Sequence, residues 1–580
     1  MDGKRPLNPG QSEAVAYGKG PLIIVAGAGS GKTRTLTERL VHLVEAGVRP
    51  ERIVAITFTN KAANEMRARL DRPLAVSYGL RARSPFVGTF HSFGAKILRE
   101  EAKHFGRSKN FAIFDNKDSE RLMKNILNSS SFGPAKMLWE ISRLKNNLLL
   151  EKELEPKFLR FFKAYESGLR RQNAFDFDDL IEKPVQLFQK ELAILEKHQK
   201  RYDYILVDEY QDINTAQYLL LKQLCQNHRN LNVVGDDEQA IYGWRWSDFK
   251  NFLNFERDWP EAKVVTLGEN YRSTGIIVEA AAALIENNQF RRPKKLWTSN
   301  GRGELIKVIN ARDPEEEAKR IVAEIMSRGR TESAILYRTN AQSRALEQEL
   351  NFNFISYEIF GGVKFYERKE IKDIISGLRY ALNPKDEISR ERLEKTFTKR
   401  VAAELISELP RLAGELKLLE LIGFILKTAN YSAYLEAKFR NAEERQENVA
   451  ELISFAAGFH DLGEFIEKIS LLQPLDKTIL VGEDKPIKLM TIHLAKGLEF
   501  ENVYVVGAAE GFLPHNRSLG SDEELEEERR LMYVAMTRAK QKLVLSFHGM
   551  ASRFLYELPP ELVEFSPTTN LDSEEEIFLD

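Results

Sequence analysis

The chain has 580 residues, which is more than one hydrophobic core usually supports, so we expect several domains, about three to five. Hydrophobic residues make up 43% of the sequence and charged residues 29%, and this balance excludes a disordered or fibrous protein. Because 85 lysines and arginines stand against 86 acids, a nucleic-acid partner would have to be held by local basic patches rather than by the field of the whole protein.

The cysteine content and the lengths of the apolar runs restrict the class further. Cys225 is the single cysteine, so zinc or iron–sulfur clusters built on several cysteines are excluded. The longest apolar runs, such as LIIVA, are too short to span a bilayer, and the polar start of the chain does not resemble a signal peptide. We therefore expect a cytoplasmic protein without a membrane partner.

The first predicted strand, Leu22 to Ala26, leads through a glycine-rich turn into a helix, in the stretch PLIIVAGAGSGKTRTLTERL. In such a turn the backbone N–H groups and the helix N-terminus face phosphate oxygens, the following lysine reaches the β- and γ-phosphates, and the next hydroxyl can ligate Mg²⁺. The usual first glycine is replaced by alanine. The predicted ATP contacts are Ala26, Gly27, Ala28, Gly29, Ser30, Gly31, Lys32 and Thr33, of which Thr33 is also the predicted Mg²⁺ ligand.

Further apolar runs bounded by turn residues predict more buried parallel strands. These runs are Ile53 to Thr57, Tyr204 to Val207, Leu231 to Val234 and Val264 to Leu267. A long stretch between the first two, about 101–190, is rich in helix formers and has no strand-turn-helix alternation. We interpret this stretch as a helical insertion in an α/β domain.

Two acids directly follow the strand that ends at Val207, at the carboxyl edge where open α/β sheets bind their ligands. Asp208 would hold the Mg²⁺ shell, and Glu209 would orient and deprotonate the attacking water. Solvated carboxylates at a strand end are the alternative interpretation. The phosphate-binding turn earlier in the chain favours the catalytic interpretation of the two acids.

The stretch VVGDDEQAIYGWRWS changes character along its length. It runs from a strand through three acids to Tyr242, Trp244, Arg245 and Trp246, side chains that suit a flat, anionic ligand. Acidic side chains and a cluster of aromatic and basic side chains rarely bind the same ligand. Two ligands, one for each end, would explain why a single short segment carries both chemistries.

The strand-helix alternation begins again at Leu305, with its clearest strands in SAILYRT and NVYVVG, and a second helical stretch interrupts it. The chain ends in the acidic sequence DSEEEIFLD. We predict this division of an α/β fold: a first α/β domain at 1–100 and 191–276, a helical insertion at 101–190, a second α/β domain at 277–382 and 484–560, a second helical insertion at 383–483, and an acidic tail at 561–580.

Phosphoryl transfer develops charge that arginines stabilise, and two arginines are candidates. Arg538 follows Leu531, Val534 and Ala535 on one apolar helical stripe, where a charge is costly unless it has a partner. An arginine finger that points at a phosphate would explain it, and a buried structural ion pair is the alternative. Arg272, just after a predicted strand, is the second candidate.

Taken in chain order, short motifs of this sequence resemble those of the UvrD/Rep/PcrA-type superfamily 1A DNA helicases. The motifs are LNPGQSEAV, AGAGSGKT, ITFTNKAANEM, GTFHSF, FDFDDLI, VDEYQD, VVGDDEQAIYGWR, GENYRST, YRTNAQSR, GGVKFYERKEIKD, MTIHLAKGLEF and EEERRLMYVAMTRAK. They span nearly the whole chain. The resemblance implies two RecA-like P-loop motor domains, each a parallel sheet flanked by helices with a mainly helical insertion, and ATP bound in the cleft between them.

The same resemblance implies roles at the ATP site. Gln11 would read the adenine edge, and Arg34 and Tyr271 would enclose the ring. Gln239 would sense the γ-phosphate, and Glu499 would contact the ribose or its surroundings. The implied catalytic residues are Lys32, Glu209, Gln239, Arg272 and Arg538, the two arginines acting as fingers.

The resemblance also implies a track for single-stranded DNA. Stacking on aromatic rings tolerates any base and contributes about 1 to 3 kcal/mol per base, which suits a motor that must grip and release. Ordinary packing is the alternative for each aromatic residue, and it stays open for Trp246, where relatives usually have a small residue. The predicted DNA contacts are Phe58, Asn60, Phe90, His91, Tyr242, Trp244, Arg245 and His493.

These features predict an ATP-dependent DNA helicase that moves 3′ to 5′, with ATP and Mg²⁺ as cofactors. Its partners would be single-stranded DNA, 3′-tailed duplex DNA and repair or replication proteins. The second insertion looks shorter than in well-known relatives, so a translocase that displaces proteins and unwinds duplex only with a partner is the alternative. A nuclease-complex subunit is disfavoured because no nuclease-sized domain follows the last motif, and a non-motor nucleotide-binding module has no use for a stacking track.

Overall fold

The computed structural model describes residues 6–59, 62–70, 84–127, 133–149, 155–327, 332–472 and 485–566. The chain divides into two compact units, Met1–Arg272 with Asn288–Asn300 and Ser273–Asn287 with Gly301–Asp580. It therefore enters the second unit, returns to the first for a short segment, and enters the second again. Each unit has its own parallel sheet.

The strands of the first unit are β1 (Leu22–Ala26), β2 (Ile53–Ile56), β3 (Phe86–Gly88), β4 (Ala112–Phe114), β5 (Ala174–Asp176), β6 (Tyr204–Val207), β7 (Leu231–Gly235) and β8 (Lys263–Leu267). Six of them form a parallel sheet in the order β3-β2-β6-β7-β1-β8, and β4 pairs with β5. Along β1, Ile23 and Val25 face one hydrophobic core, while Leu22, Ile24 and Ala26 face another. Because both faces of the sheet are covered, β1, β2 and β6 are apolar and buried throughout, which made them predictable.

The helices of the first unit cover the two faces of this sheet. They are α1 (Pro9–Ala16), α2 (Lys32–Glu45), α3 (62–70), α4 (Phe90–Glu101), α5 (Asn116–Leu127), α6 (Pro134–Asn147), α7 (Pro156–Arg171), α8 (Asp179–Lys190), α9 (Leu192–Arg201), α10 (Thr215–Cys225), α11 (Lys250–Leu253) and α12 (Phe255–Asp258). On one face α1, α2 and α3 contribute Ala14, Leu36 and Met66 to the core. On the other, α4, α8 and α10 pack together, and Cys225 is completely buried there.

Helices α5, α6 and α7 form the insertion around a core of their own, which includes Met123, Ile141 and Tyr165. A buried charge network joins them to the β5–α8 segment. Lys145 of α6 lies 2.8 Å from carboxylate oxygens of Glu166, Asp176 and Asp179. Burial opposes the charge on Lys145, but these acids raise its pKa well above the ordinary value. The insertion is therefore anchored by ion pairs as well as by apolar packing.

The second unit contains the strands β9 (Ile306–Ala311), β10 (Ser333–Tyr337), β11 (Tyr357–Ile359), β12 (Ile487–Thr491), β13 (Phe500–Val505), β14 (Ala539–His548) and β15 (Val563–Ser566). They form a parallel sheet in the order β11-β12-β10-β13-β14-β9-β15. Its helices are α13 (Gly275–Ile285), α14 (Pro314–Ser327), α15 (Ser343–Phe352), α16 (Lys369–Leu382), α17 (Glu387–Thr396), α18 (Lys399–Leu412), α19 (Leu418–Thr428), α20 (Tyr431–Lys438), α21 (Ala442–Ala456), α22 (Leu462–Leu472), α23 (Ile492–Ala495), α24 (Asp522–Met536) and α25 (Arg553–Tyr556).

Two segments of the second unit differ from the predicted division of the chain. Helix α16, assigned to the α/β domain, contributes Ile371, Ile374 and Leu378 to the same core as α17–α22, so this helical cluster begins before residue 383. Strand β15, assigned to the acidic tail at 561–580, pairs with β9 at the sheet edge. Its alternation is short and largely exposed, with Phe565 52% accessible, so the sequence carried no clear strand signal there.

The predicted α/β class, with parallel sheets flanked by helices, is confirmed by both sheets. Among the helices that the structure describes, none combines the length and apolar character needed to cross a membrane.

A buried ion pair in the second unit makes its stability depend on pH. His548 at the end of β14 lies 2.7 Å (Nδ1 to Oε2) from Glu317 of α14. Burial opposes the charge, but Glu317 raises the pKa of His548 above its ordinary value. Stability from a raised histidine pKa is complete below the unfolded value, about 6.5, and is lost as pH rises through the folded one.

We therefore expect the free energy of unfolding of the second unit to fall from about pH 6 to about pH 8 in the wild type and to change less in His548→Gln. Urea unfolding at each pH, monitored by hydrogen exchange of the amides of β14, measures this free energy of unfolding. If the free energy of unfolding changed equally with pH in both proteins, His548 would not be the source of the pH dependence.

Candidate functional site

The glycine-rich turn after β1 has the backbone of a phosphate-binding loop. Gly29 and Gly31 have φ of 69° and 80°, in the left-handed region that favours glycine. A Cβ atom on Gly29 would lie 2.7 Å from the Asn270 amide, so the close approach of this side chain also requires glycine. Lys32 begins α2 directly after the turn. The predicted ATP contacts from Ala26 to Thr33 thus form one curved segment at the N-terminus of a helix.

Thr33, in the first turn of α2, lies beside Asp208, which directly follows β6. The Thr33 hydroxyl donates to Asp208 Oδ2 over 2.7 Å. Burial and the adjacent Glu209 raise the pKa of Asp208 to about 7. A buried carboxylate with a hydroxyl beside it offers the oxygen ligands that Mg²⁺ prefers, and a bound cation would relieve the cost of the buried charge. The donor set therefore fits the predicted metal.

Glu209 follows in a strained conformation. Its φ is 51°, in the left-handed region, which costs a residue with a side chain about 1 to 3 kcal/mol and is found mostly at functional sites. Gln211 donates through Nε2 to Glu209 Oε2 over 2.6 Å. The carboxylate is thus oriented by a neighbour, as expected for a general base.

The residues predicted to hold the base also lie at the loop. Gln11, 1% exposed, donates through Nε2 to the Ser30 carbonyl over 2.9 Å. The Tyr271 N–H donates to the Gly29 carbonyl over 3.0 Å, and Asn8 donates to the Tyr271 hydroxyl over 2.7 Å. Arg34 lies in the first turn of α2. Helix α1 is therefore tied to the phosphate loop through its Gln11 amide.

A lysine that the sequence analysis did not single out occupies the centre of the acidic run. Lys294, whose side chain is fully buried, has its Nζ 2.8 Å from Asp236 Oδ1, 2.9 Å from Glu238 Oε2 and 3.4 Å from Asp237 Oδ1. Burial opposes its charge, but the acids raise the pKa of Lys294 well above the ordinary value. We name Lys294 with these three acids the Lys294 cluster.

The Lys294 cluster is joined to two predicted catalytic residues. Lys32 Nζ lies 3.5 Å from Asp236 Oδ2, and Gln239 donates to the same oxygen. Although burial acts in the opposite direction, Lys294 and Lys32 lower the pKa of Asp236 to about 2. The basic run RRPKK after α13 was the sequence signal for this lysine. Three buried acids need more positive charge than Lys32 supplies, and this run could supply it.

The two candidate arginines lie in different units. Arg272, half-buried, ends the first part of the first unit, and its N–H donates to Asn270 Oδ1 over 2.8 Å. In the second unit Arg538 is 1% exposed and donates to the Val534 carbonyl over 2.9 Å and to the Thr537 hydroxyl over 3.0 Å. Because these local oxygen atoms accept from the guanidinium, the burial of Arg538 does not by itself require a phosphate, and its role as an arginine finger stays a prediction.

Two other predicted residues also belong to the second unit. Glu499 lies 3.4 Å from Lys540 Nζ, and His493 lies half-buried in the short helix α23.

An aromatic surface in the first unit brings together part of the predicted DNA contacts. The rings of Phe58 and Tyr242 stack, with centroids 5.2 Å apart and planes at 15°. Trp244, 56% exposed, lies 6.3 Å from Tyr242 between ring centroids, and the Arg245 guanidinium lies 4.5 Å from the Trp244 ring. We name Phe58, Tyr242, Trp244 and Arg245 the aromatic surface.

The other predicted contacts of the first unit have different environments. Phe90 is 5% exposed in the sheet core, so its burial favours the packing alternative over contact with DNA. Burial lowers the pKa of His91 to about 4, so His91 is neutral near pH 7 and would offer a hydrogen bond rather than a charge. Its ring lies 5.0 Å from Phe177, an aromatic side chain that the sequence analysis missed and that is 51% exposed. Asn60 lies outside the described residues.

The chain is similar to known proteins along most of its length. Residues 7–260 match the UvrD/REP helicase N-terminal domain, and residues 265–433 and 420–550 match the UvrD-like helicase C-terminal domain. The chain is 39% identical to a protein named ATP-dependent DNA helicase PcrA from Staphylococcus epidermidis and 38% identical to one of the same name from Staphylococcus aureus. Each alignment covers 96% of this chain and 87% of the relative.

Proposed function

The chain belongs to the UvrD/REP helicase family, and on this premise we propose that it is an ATP-dependent DNA helicase that moves 3′ to 5′ along single-stranded DNA, in repair or replication restart. One observation carries the proposal. Gln239, bonded to the carboxylate that Lys32 also approaches, is five residues before Trp244 of the aromatic surface. A change at the phosphate can therefore reach the DNA through a very short piece of backbone.

At the nucleotide end, Thr33 and Asp208 would hold Mg²⁺, which when bound supplies positive charge to the phosphates. Lys32, which lies near Asp236, would contact the β- and γ-phosphates, and Glu209 would take the proton of the attacking water. By the family resemblance, Gln11, Arg34 and Tyr271 hold the base, Glu499 contacts the ribose, and Arg272 and Arg538 stabilise the developing charge. The nucleotide is ATP, as the family implies.

At the DNA end, the aromatic surface stacks bases, and Arg245 adds attraction for the phosphates. His91 contributes a neutral hydrogen bond, because burial keeps it uncharged. Asn60 and His493 remain proposed contacts on the resemblance alone.

A three-substrate assay tests the function. Purified protein with ATP and Mg²⁺ is expected to unwind a 3′-tailed duplex but not a 5′-tailed or blunt one, and single-stranded DNA is expected to stimulate its ATP hydrolysis. Unwinding of the 5′-tailed duplex alone would reject the direction. Absence of DNA stimulation would reject the motor function altogether.

The second candidate is a translocase that displaces proteins from DNA and unwinds duplex only with a partner. The alignment with the relative from Staphylococcus epidermidis runs over 640 positions although it includes 96% of a chain of 580 residues, so that relative carries segments that this chain lacks. DNA-stimulated ATP hydrolysis and streptavidin displacement without strand separation would favour this candidate.

Replacing Trp244 with Ala is expected to weaken binding of single-stranded DNA by about 1 to 3 kcal/mol, because an exposed stacking ring is lost. Fluorescence anisotropy with labelled oligo(dT), without nucleotide, measures the affinity. Trp297→Ala is the matched control, since Trp297 is 49% exposed in the same unit but outside the aromatic surface. Equal affinities for wild type and Trp244→Ala would remove Trp244 from the track.

A further inference from the structure

Trp246 has a backbone conformation that is unusual for a bulky residue. Its φ is 67° and its ψ 14°, in the left-handed region, at the end of the turn formed by Gly243–Arg245. Glycine would adopt this conformation without strain, and for tryptophan a contact made by the ring can offset the cost. Strain of this kind concentrates at ligand-binding positions.

The contact is a second tryptophan, on the helical insertion. Trp139 lies on α6 beside Leu138 and Ile141, which enter the core of the insertion, but Trp139 itself is 48% exposed. Its ring centroid lies 5.0 Å from that of Trp246, with the planes at 58°. The two rings thus meet at the surface, and much of one of them stays accessible.

Hydrogen bonds fix the two tryptophans relative to each other. Asn146, about two helical turns beyond Trp139 on α6, accepts from the Asn214 amide over 2.7 Å. Asn214 in turn forms a β-bridge with Ser247, the residue after Trp246. Helix α6 is therefore held against this loop independently of the rings. A brace made of the exposed Trp139 and the half-buried Trp246 would add little that these bonds do not already provide.

The pair continues the aromatic surface. Trp246 is two residues beyond Trp244, and Arg245 between them has its guanidinium 4.5 Å from the Trp244 ring. Trp246 is thus the next aromatic residue of the same loop after Tyr242 and Trp244, and its ring is in contact with that of Trp139 on the insertion. Aromatic rings at intervals beside an arginine are the chemistry that binds single-stranded nucleic acid without regard to sequence.

We propose that Trp139 and Trp246 form an additional stacking site for a base of single-stranded DNA, which extends the track from the first α/β sheet onto the helical insertion. The proposal rests on the proposed function, because it adds a site to the same track. The site needs both rings, since the base would pack against the surface that the two form together.

Binding of oligo(dT) by Trp139→Ala, Trp246→Gly and the double variant tests the site. Each single change is expected to weaken binding about five- to hundredfold, and the double variant by little more than either alone, because the rings act as a unit. Trp246→Gly removes the backbone strain together with the ring, so its expected loss of affinity comes without a loss of stability in urea. Unchanged affinity in both single variants, whatever their stability, would overturn the proposal.

Fluorescence gives a second readout that a structural brace would not change. In a Trp244→Phe, Trp297→Phe background, Trp139, Trp246 and the buried Trp259 are the tryptophans that remain. The part of the emission that Trp139→Phe and Trp246→Phe remove is expected to be quenched on adding oligo(dT), and lack of quenching would overturn the proposal. Trp244→Ala separates this failure from failure of the proposed function. If that variant loses affinity while Trp139→Ala and Trp246→Gly do not, only the additional site is rejected. If it also binds normally, the track itself is rejected.

Discussion

Replacing Glu209 with Gln is expected to lower ATP turnover by about 10²- to 10⁴-fold while sparing nucleotide binding. The carboxylate is oriented by Gln211 and stands next to Asp208, which pairs with Thr33. Glutamine keeps the shape and can accept the Gln211 hydrogen bond, but it cannot take a proton. The change therefore removes the proposed base and leaves the phosphate loop intact.

Steady-state hydrolysis with saturating single-stranded DNA measures turnover, and a fluorescent ATP analogue measures binding. Glu196→Gln is the matched control, because Glu196 is an exposed acid on α9 that pairs with Lys200. A Glu209→Gln protein that hydrolyses ATP at the rate of this control would show that another group takes the proton.

Replacing Lys294 with Met is expected to destabilise the first unit by about 3 to 5 kcal/mol, because the change leaves buried carboxylates without their cation. Methionine fills a similar volume, so the loss reports charge rather than a cavity. In the wild type, the lowered pKa of Asp236 contributes stability that is complete above the unfolded value of about 3.9. Without Lys294 the acids titrate at higher pH, so the deficit is expected to be largest near pH 8 and to shrink toward pH 5.

Urea unfolding of the full chain, monitored by hydrogen exchange of the amides of β7 and its neighbouring strands, gives the difference in the free energy of unfolding between the wild type and Lys294→Met at each pH. Lys295→Met is the control, since the adjacent Lys295 is exposed. A deficit that is equal at both pH values would mean that the acids of the Lys294 cluster are not the source of the loss.

Local sequence signals predicted the parts of the site that local structure determines. The turn from Gly27 to Gly31 and the acids after β6 needed only a strand, a turn and a helix in succession, and the buried strands were uniformly apolar because helices cover both faces. These features do not depend on which distant segment packs nearby.

The missed features depend on distant contacts or on hydrogen bonds to the backbone. Lys294 is separated from Asp236 by more than fifty residues and by a passage through the second unit, so no spacing rule connects them. Phe90 looked like a loop aromatic but begins α4 inside the core. Arg538 looked unpaired on its stripe because carbonyl partners, which every residue carries, leave no trace in a sequence.

The single thiol of the chain provides a native reporter of opening. Cys225 is completely buried at the end of α10, and burial raises its pKa, so the reactive thiolate is suppressed in the folded state. The second unit contains no cysteine. The rate at which an alkylating reagent modifies the wild-type protein therefore measures transient exposure of the first sheet alone, and ATP or DNA that tightens this unit should slow the labelling without any engineered probe.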